Sequence, residues 1–365
     1  MFRSVQIPCA AVLLSMSCVP QAFAQSSVNI AGVIGEGVAY TSNVGGKSST
    51  YLLPAGVLRP NTLWINVQED LGGGYKALAS LSTMFGMNNG ATLGAPGAFF
   101  SRESYVGLAN GYGTLTLGQQ RDFMFDTLTL QGYAGAFYQG IWGAHMGPFP
   151  AFGVPYVIGN SYDFDRLNGE ALNNAVKFKS ASFGGFTFGA MYSFGGVPGH
   201  FGNSSASSFS ANYQFANGGV GAAYTMTKLP SIDQGNAGIR NFGIGGRYKI
   251  GDTQFALLGT VSRNTATGAQ IDSVDTTVSY DFSAFWTLAG TYTYMGGNAQ
   301  LGNNHANQFG STLTYRFSKR TSVYASLAWQ RASGRTALAR INSTLPSASG
   351  SAVQTSAALN IQHAF

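Results

Sequence analysis

Residues 309–317 read FGSTLTYRF, and apolar and polar side chains alternate along this stretch. Phe309 and Leu313 fall on one face of an extended chain, because successive side chains of a β-strand point to opposite sides. Thr312 and Arg316 fall on the other face. The stretch therefore predicts a strand that is apolar on one side and polar on the other.

The same alternation recurs along the chain between two kinds of connection. Seven are very short: 71–74, 110–112, 182–185, 217–219, 250–252, 282–284 and 318–320. Eight are longer and polar or glycine-rich: 41–61, 86–100, 121–172, 195–206, 229–238, 264–270, 297–305 and 331–352. Turns at one end and loops at the other predict an all-β fold, a 16-stranded antiparallel transmembrane β-barrel with both termini at the turn end.

Composition supports a membrane barrel over a soluble sheet protein. Charged residues make up 9% of the chain, against about 25% in typical globular domains. After residue 24 there is no run of about 20 apolar residues, which excludes helical membrane spans. A soluble sandwich would carry charges on its outer faces, whereas the outward positions here are apolar: Phe178, Phe186, Phe188, Leu257, Tyr292, Leu313, Trp329 and Leu359.

The first 24 residues predict a signal peptide that is removed. Arg3 precedes an apolar run of about ten residues, and Ala22-Phe23-Ala24 has the small-x-small cleavage pattern. We expect a single barrel domain over residues 25–365. Cys9 and Cys18 both lie in the leader, so the mature chain has no disulfide and no cysteine metal ligand.

Five segments are similar to those of the trimeric general porins of Gram-negative outer membranes, especially the β-proteobacterial kind. They are AQSSVNIAGV at the predicted mature start, EDLGGGYKA (69–77), SRESYVGLANGYGTLTLGQQ (101–120), NNAVKFKSASFGGFTFGAMYSFG (173–195) and the C-terminal ALNIQHAF. The resemblance implies a homotrimer in outer-membrane lipid and lipopolysaccharide, with one water-filled pore per subunit for small hydrophilic solutes and ions. It also implies that Phe365 is the signal read by the barrel-assembly machinery.

The third long connection contains residues 133–159, which carry no Asp, Glu, Lys or Arg. The resemblance implies that this loop folds into the barrel and narrows it. The side chains expected in the loop are Phe137, Tyr138, Trp142, Phe149 and Phe152. The resemblance places the constriction at Trp64, Lys76, Arg102, Arg121, Asp122 and Asp126.

This sequence departs from the porin pattern in its wall charges. Thr62, Asn66 and Gln119 stand where relatives usually carry arginines. In the third long connection, acidic residues remain only near its two ends. We therefore expect a weak anion preference, because the positive wall is thinned while the loop opposite it has lost most of its negative charge.

Two functions other than passive diffusion are compatible with a barrel. A substrate-selective pore would use the uncharged aromatic loop to contact a neutral or amphipathic solute. A barrel enzyme would need a nucleophile and a base held by a third group, but His145, His200, His305 and His363 are scattered. No enzyme activity, cofactor or metal is expected. No nucleic-acid partner is expected either, since the basic residues form no run.

Glu36 conflicts with the alternation of the first strand. It falls on the same face as Val28, Ile30 and Ile34, which we assign to lipid. Either a bulge near residues 35–37 shifts the register or Glu36 lies at the water interface. The sequence leaves both possibilities open.

Overall fold

The computed structural model describes residues 26–52, 59–94, 97–135, 145–153, 163–341, 345 and 347–365. They form one antiparallel sheet whose strands are β1 (Ser27–Val44), β2 (Lys47–Leu52), β3 (Thr62–Gly72), β4 (Tyr75–Phe85), β5 (Thr92–Leu93), β6 (Glu103–Asn110), β7 (Gly113–Arg121), β8 (Ala171–Ser180), β9 (Phe186–Ser193), β10 (Ala206–Phe215), β11 (Gly218–Lys228), β12 (Gly238–Ile250), β13 (Thr253–Asn264), β14 (Gln270–Asp281), β15 (Trp286–Gly297), β16 (His305–Arg316), β17 (Thr321–Ser333) and β18 (Val353–Ala364).

The sheet closes on itself because β1 pairs with β18. The short strands β2 and β5 lie within the first and second long connections and leave sixteen strands in the wall. The predicted barrel, its seven turns and its eight loops are thereby confirmed. Among the described residues, helical elements are short turns such as Met124–Thr129, Pro150–Phe152, Asp233–Gly235 and Ala299–Leu301. Among the described residues no helix is both long and apolar enough to cross a bilayer.

The two faces of the wall differ as the alternation predicts. On the outer face Leu257 is 56% exposed and Leu359 is 66% exposed. The other predicted outward side chains are exposed or pack against exposed aromatic rings on this face. On the inner face polar side chains such as Ser208, Asn241 and Thr293 are buried in the interior. The interior is therefore a polar space enclosed by an apolar wall.

Tight turns at one end of the barrel depend on glycine. In the β3–β4 turn Gly73 and Gly74 have φ angles of +60° and +82°, which residues with a Cβ rarely adopt. We call this end the turn end and the opposite end the loop end.

The register of β1 resolves the position of Glu36. The β1–β18 ladder runs without interruption from Val33, opposite Ala364, to Thr41, opposite Ser356. No bulge occurs at residues 35–37. Glu36 therefore stays on the outer face, where its Oε1 accepts a hydrogen bond from the Gly37 amide at 3.1 Å.

The C-terminal residue closes the seam between the first and last strands. The Phe365 amide donates to the Gly32 carbonyl at 3.0 Å, and the Gly32 amide donates to the Phe365 carbonyl at 3.1 Å. The Phe365 ring covers Gly32 so closely that a Cβ at this position would clash with the ring. Glycine at this position lets the terminal ring pack onto β1.

Candidate functional site

The first part of the third long connection lies against the inner face of the wall. The helical turn Met124–Thr129 packs on β10, β11 and β12. The Phe123 amide donates to Ser208 Oγ at 3.1 Å, and the Tyr133 hydroxyl donates to Asn212 Oδ1 at 2.6 Å. Because Ser208 and Asn212 face inward, this part of the loop occupies space inside the barrel.

Wall asparagines hold the later described parts of the same loop. Asn264 Nδ2 donates to the Phe152 carbonyl at 3.0 Å, and Asn241 Nδ2 donates to the Phe164 carbonyl at 2.6 Å. These side chains satisfy backbone groups that have no sheet partner. Phe149 and Phe152 also enter a buried apolar cluster with wall residues. The described loop is thus held by both polar and apolar contacts.

His145 joins the loop to the wall through two carboxylates. Its Nδ1 lies 2.6 Å from Asp165 Oδ2, and its Nε2 lies 3.3 Å from Asp275 Oδ2 on β14. All three side chains are buried. Burial alone lowers the pKa of His145, but Asp165 and Asp275 together raise it to about 10. At neutral pH the imidazolium is therefore a charged link between loop and wall.

The acids at the base of the loop are largely buried, and Arg166 pairs with two of them. Arg166 forms ion pairs with Asp122 and, at 3.5 Å, with Glu170. Burial raises the pKa of Glu170 to about 7, although Arg166 opposes the shift. Burial also raises the pKa of Asp163, with the charge of Glu170 as the next cause. These carboxylates consequently add little negative field to the open part of the interior.

One open space lies beside the loop and is called here the first cavity. Its volume is about 400 Å³. It is lined by Trp64, Asn66, Ser80, Glu103, Tyr105, Thr114, Thr116, Gln120, Arg121, Asp126, Leu130, Lys177 and Lys179. Three cations and two acids among these residues give a formal charge of +3 − 2 = +1.

Both acids that line the first cavity, Glu103 and Asp126, form ion pairs with cations. Arg121 Nη2 lies 2.7 Å from Glu103 Oε1, and Lys177 Nζ lies 2.6 Å from Asp126 Oδ2. Burial raises the pKa of Asp126, but Lys177 and Arg121 outweigh it and leave the pKa below its ordinary value. Within the described chain Lys179 has no ion pair, so it supplies the excess charge.

A second space, the turn-end vestibule, has a volume of about 550 Å³. Among the described residues that line it there are five cations and no carboxylate; the cations are Arg59, Arg247, Arg316, Lys319 and Arg320. Loop residues 130–132 and Gly135 also line it, and Leu130 borders the first cavity as well. The two spaces therefore adjoin where the loop crosses the interior, and their combined lining has a formal charge of 1 + 5 = +6.

The structure gathers some of the expected constriction residues and separates others. Trp64, Arg121 and Asp126 all line the first cavity. Lys76 is exposed at the start of β4, opposite Asp70, and lines neither cavity. Arg121 is thus the only expected cation of the three that reaches these open spaces.

Arg102 and Asp122 are buried rather than exposed to the cavities. Arg102 Nη1 lies 2.6 Å from Met84 Sδ, and its guanidinium lies 5.5 Å from the centre of the Phe125 ring. Burial lowers the pKa of Arg102 to about 9, so it stays cationic at neutral pH behind the loop. Asp122 is fully buried beside Arg166.

The expected loop aromatics are only partly described. Phe149 and Phe152 are buried against the wall, whereas Phe137, Tyr138 and Trp142 lie outside the described residues. Of the replaced arginine positions, Asn66 lines the first cavity. The Gln119 amide instead donates to the Ser101 carbonyl at 2.7 Å.

The lumen also contains cations that the sequence pattern alone does not assign to a site. Alternation along β8 and β16 correctly predicts that Lys177, Lys179 and Arg316 share the polar face. Arg247 follows the same alternation along β12. Lys319 and Arg320 lie in a turn, where periodicity carries no information about direction. In the described residues no cluster of His, Cys, Asp or Glu could hold a metal ion.

Comparisons with known proteins agree with this architecture. Residues 10–335 match the family model described as Gram-negative porin. Outer membrane porin protein 32 of Delftia acidovorans is 33% identical over 174 residues, a match that covers 47% of this chain and 45% of that protein. The match therefore spans less than half of that relative.

Solved structures share the fold at low sequence identity. The anion-selective porin from Comamonas acidovorans has a TM-score of 0.74 and 21% identity, covering 93% of this chain and 100% of that one. OmpT of Vibrio cholerae, in a trimer form, has a TM-score of 0.64 and 12% identity, covering 93% and 99%. At these identities the similarity shows a common fold.

Proposed function

This chain belongs to the Gram-negative porin family, and from that premise we propose that it is a passive outer-membrane channel with a weak preference for anions. The anion preference is inferred from the turn-end vestibule, whose described lining has five cations and no carboxylate. Solutes move down their gradients through the polar interior, and size and charge decide which ones pass.

The preference is weak because the charges act through water. Unit charges about 4 Å apart interact by about 1–4 kcal/mol in wet surroundings, and salt screens them over about 8–10 Å. The two ion pairs in the first cavity cancel most of its charge. Anions are thus concentrated in the interior, while cations are disfavoured without being excluded.

Liposome swelling with uncharged sugars tests the diffusion function. A passive channel should admit small sugars at rates that fall steadily as the sugar grows and that never saturate with concentration. Protein-free liposomes and heat-denatured protein are the controls. Swelling that saturates for one sugar alone would contradict passive diffusion and support a substrate-selective pore.

We also propose a homotrimer, formed through the flank that contains β18, β1, β3, β4, β6 and β7. Aromatic girdles mark where a barrel meets the lipid interface. Exposed aromatic side chains are frequent on β9–β16, including Phe188, Phe215 and Trp286. On the strands of the proposed flank the exposed large hydrophobic side chains are aliphatic except Tyr40 and Tyr75. A flank without a girdle suits contact with neighbouring subunits.

Replacing Leu359 with tryptophan should lower the trimer fraction strongly. Leu359 lies on the proposed flank, where a larger ring would hold the subunits apart. Leu257→Trp is the matched control, because Leu257 is also outward-facing but lies on β13, towards lipid. Native mass measurements in mild detergent give the trimer fraction. Equal fractions for the two variants, or a monomeric parent, would rule out this flank.

The proposed cellular partners are outer-membrane lipid, lipopolysaccharide and the barrel-assembly machinery, with Phe365 as the assembly signal. Replacing Phe365 with alanine should lower the outer-membrane yield several-fold. The refolded barrel should lose only about 1 kcal/mol, because the ring is half exposed and its two backbone hydrogen bonds to Gly32 remain. Phe317→Ala removes another exposed turn-end ring and should leave the yield unchanged. Equal yields for both variants would argue against recognition of Phe365.

A further inference from the structure

The cations of the turn-end vestibule are not neutralised by the protein. Within the described residues none of Arg59, Arg247, Arg316, Lys319 and Arg320 makes an ion pair. Asp281 is connected to Arg316 through Thr287, whose hydroxyl receives a bond from Arg316 at 2.8 Å and donates to Asp281 at 2.6 Å. Lys249, however, pairs with Asp281 directly at 3.3 Å. The positive charge of the vestibule is therefore available to a solute.

The vestibule also offers neutral hydrogen-bond donors. Seven hydroxyl side chains line it: Thr277, Ser279, Thr287, Thr312, Thr314, Ser322 and Tyr324. Four of these hydroxyls donate within the protein, which leaves Ser279, Thr314 and Ser322 as donors to a solute in the described part of the chain. The amides of Gln254 and Gln362 line it as well. Arg247 Nε is buried and has no hydrogen-bond partner in the described part of the chain. Charged and neutral donors without a competing carboxylate suit the oxygen atoms of carboxylates and phosphates.

The cations approach the space from separate elements. Arg247 lies on β12, and Arg316 lies on β16, four strands away. Four spacings of about 4.8 Å place their backbones about 19 Å apart along the wall. Arg59 lies near the end of the first long connection, just before β3, and also lines the vestibule. A single small anion contacts one of these groups, whereas a molecule with two anionic ends contacts two at once.

We propose that the turn-end vestibule binds small molecules that carry two or more anionic oxygen-bearing groups. The proposal rests on the channel function proposed above and assigns the class of solute that this channel favours. The volume of about 550 Å³ falls within the range of about 300–1,000 Å³ typical of small-molecule sites. Because the loop borders the vestibule, a solute that passes the loop enters this site before it leaves.

Block of chloride current by pyrophosphate, added at the turn end of the full-length protein in a planar bilayer, tests the proposal. Pyrophosphate should block the parent channel. Arg247→Gln with Arg316→Gln should raise the half-blocking concentration by at least about tenfold, since two of the five cations are removed. Arg240→Gln with Arg263→Gln is the matched control, because these exposed arginines lie on the outer face at the loop end. That control should leave the half-blocking concentration unchanged.

A second variant keeps the test valid if the Arg247→Gln, Arg316→Gln protein misfolds. Lys319→Gln with Arg320→Gln changes only an exposed turn and should also weaken the block. Chloride current without pyrophosphate block in the parent would overturn the proposed site but leave the channel function standing. Equal block in the vestibule and control variants would do the same. A parent protein that carried no current at all would overturn both proposals.

Discussion

Replacing Arg316, Lys319 and Arg320 together with glutamate is expected to abolish the anion preference. Each replacement changes the local charge by two units, so the lining of the two cavities falls from +6 to 6 − 6 = 0. The vestibule itself becomes 5 − 6 = −1, which attracts cations at the turn end. The reversal potential in a salt gradient should move to zero or to the cation side.

The matched control changes the same number of charges outside the lumen. Arg240, Arg263 and Arg331 are exposed near the loop ends of β12, β13 and β17, on the outer face. Replacing these three with glutamate should leave the anion preference intact, because the wall separates them from the permeating ions. An unchanged reversal potential for the vestibule variant would show that these cations do not set selectivity.

Replacing His145 with alanine is expected to release the later part of the third loop. The change leaves Asp165 and Asp275 buried without their shared cation, and breaking a buried ion pair in this way costs about 3–5 kcal/mol. The barrel should persist, since its ladders do not involve His145. Single-channel recordings should show a larger mean conductance and larger fluctuations as the loop leaves its position.

His200→Ala is the control, because His200 is exposed in another loop. It should leave conductance and noise unchanged. If His145→Ala behaves like this control, the ion pairs do not hold the loop.

The same link predicts a dependence on alkaline pH. The folded pKa of His145, about 10, lies above its ordinary value of 6.5. The charged link therefore contributes its full stability below about pH 6.5 and loses it as the pH rises through about 10. Channel noise in the parent should rise across that alkaline range, whereas noise in His145→Ala should not. Equal pH responses in the two proteins would exclude His145 as the titrating group.

The architecture could be predicted because it depends on local patterns. Period-two alternation sorts Leu313 and Arg316 onto opposite faces whatever the neighbouring strand is. Turns such as 71–74 carry glycines that the backbone requires there. The number of turns and loops then determines the strand number without knowledge of any long-range contact.

The site was harder to predict because it depends on contacts between distant residues. Arg102 immediately precedes β6, and the packing of Phe125 over it decides that it is buried. The pairing of His145 with Asp275 joins residues 130 positions apart, and no local sequence motif predicts it. Lys319 and Arg320 face the vestibule because of the shape of one turn. Side-chain direction outside regular strands is set by tertiary structure.

The most direct test of the account is the zero-current potential of the parent channel across a tenfold potassium chloride gradient. A perfectly selective pore for a monovalent ion would give about 59 mV. A lumen lined by a formal charge of +6 predicts a potential with the sign of chloride preference but well below that limit. A potential with the sign of potassium preference would contradict the assignment of the basic vestibule as the element that selects ions.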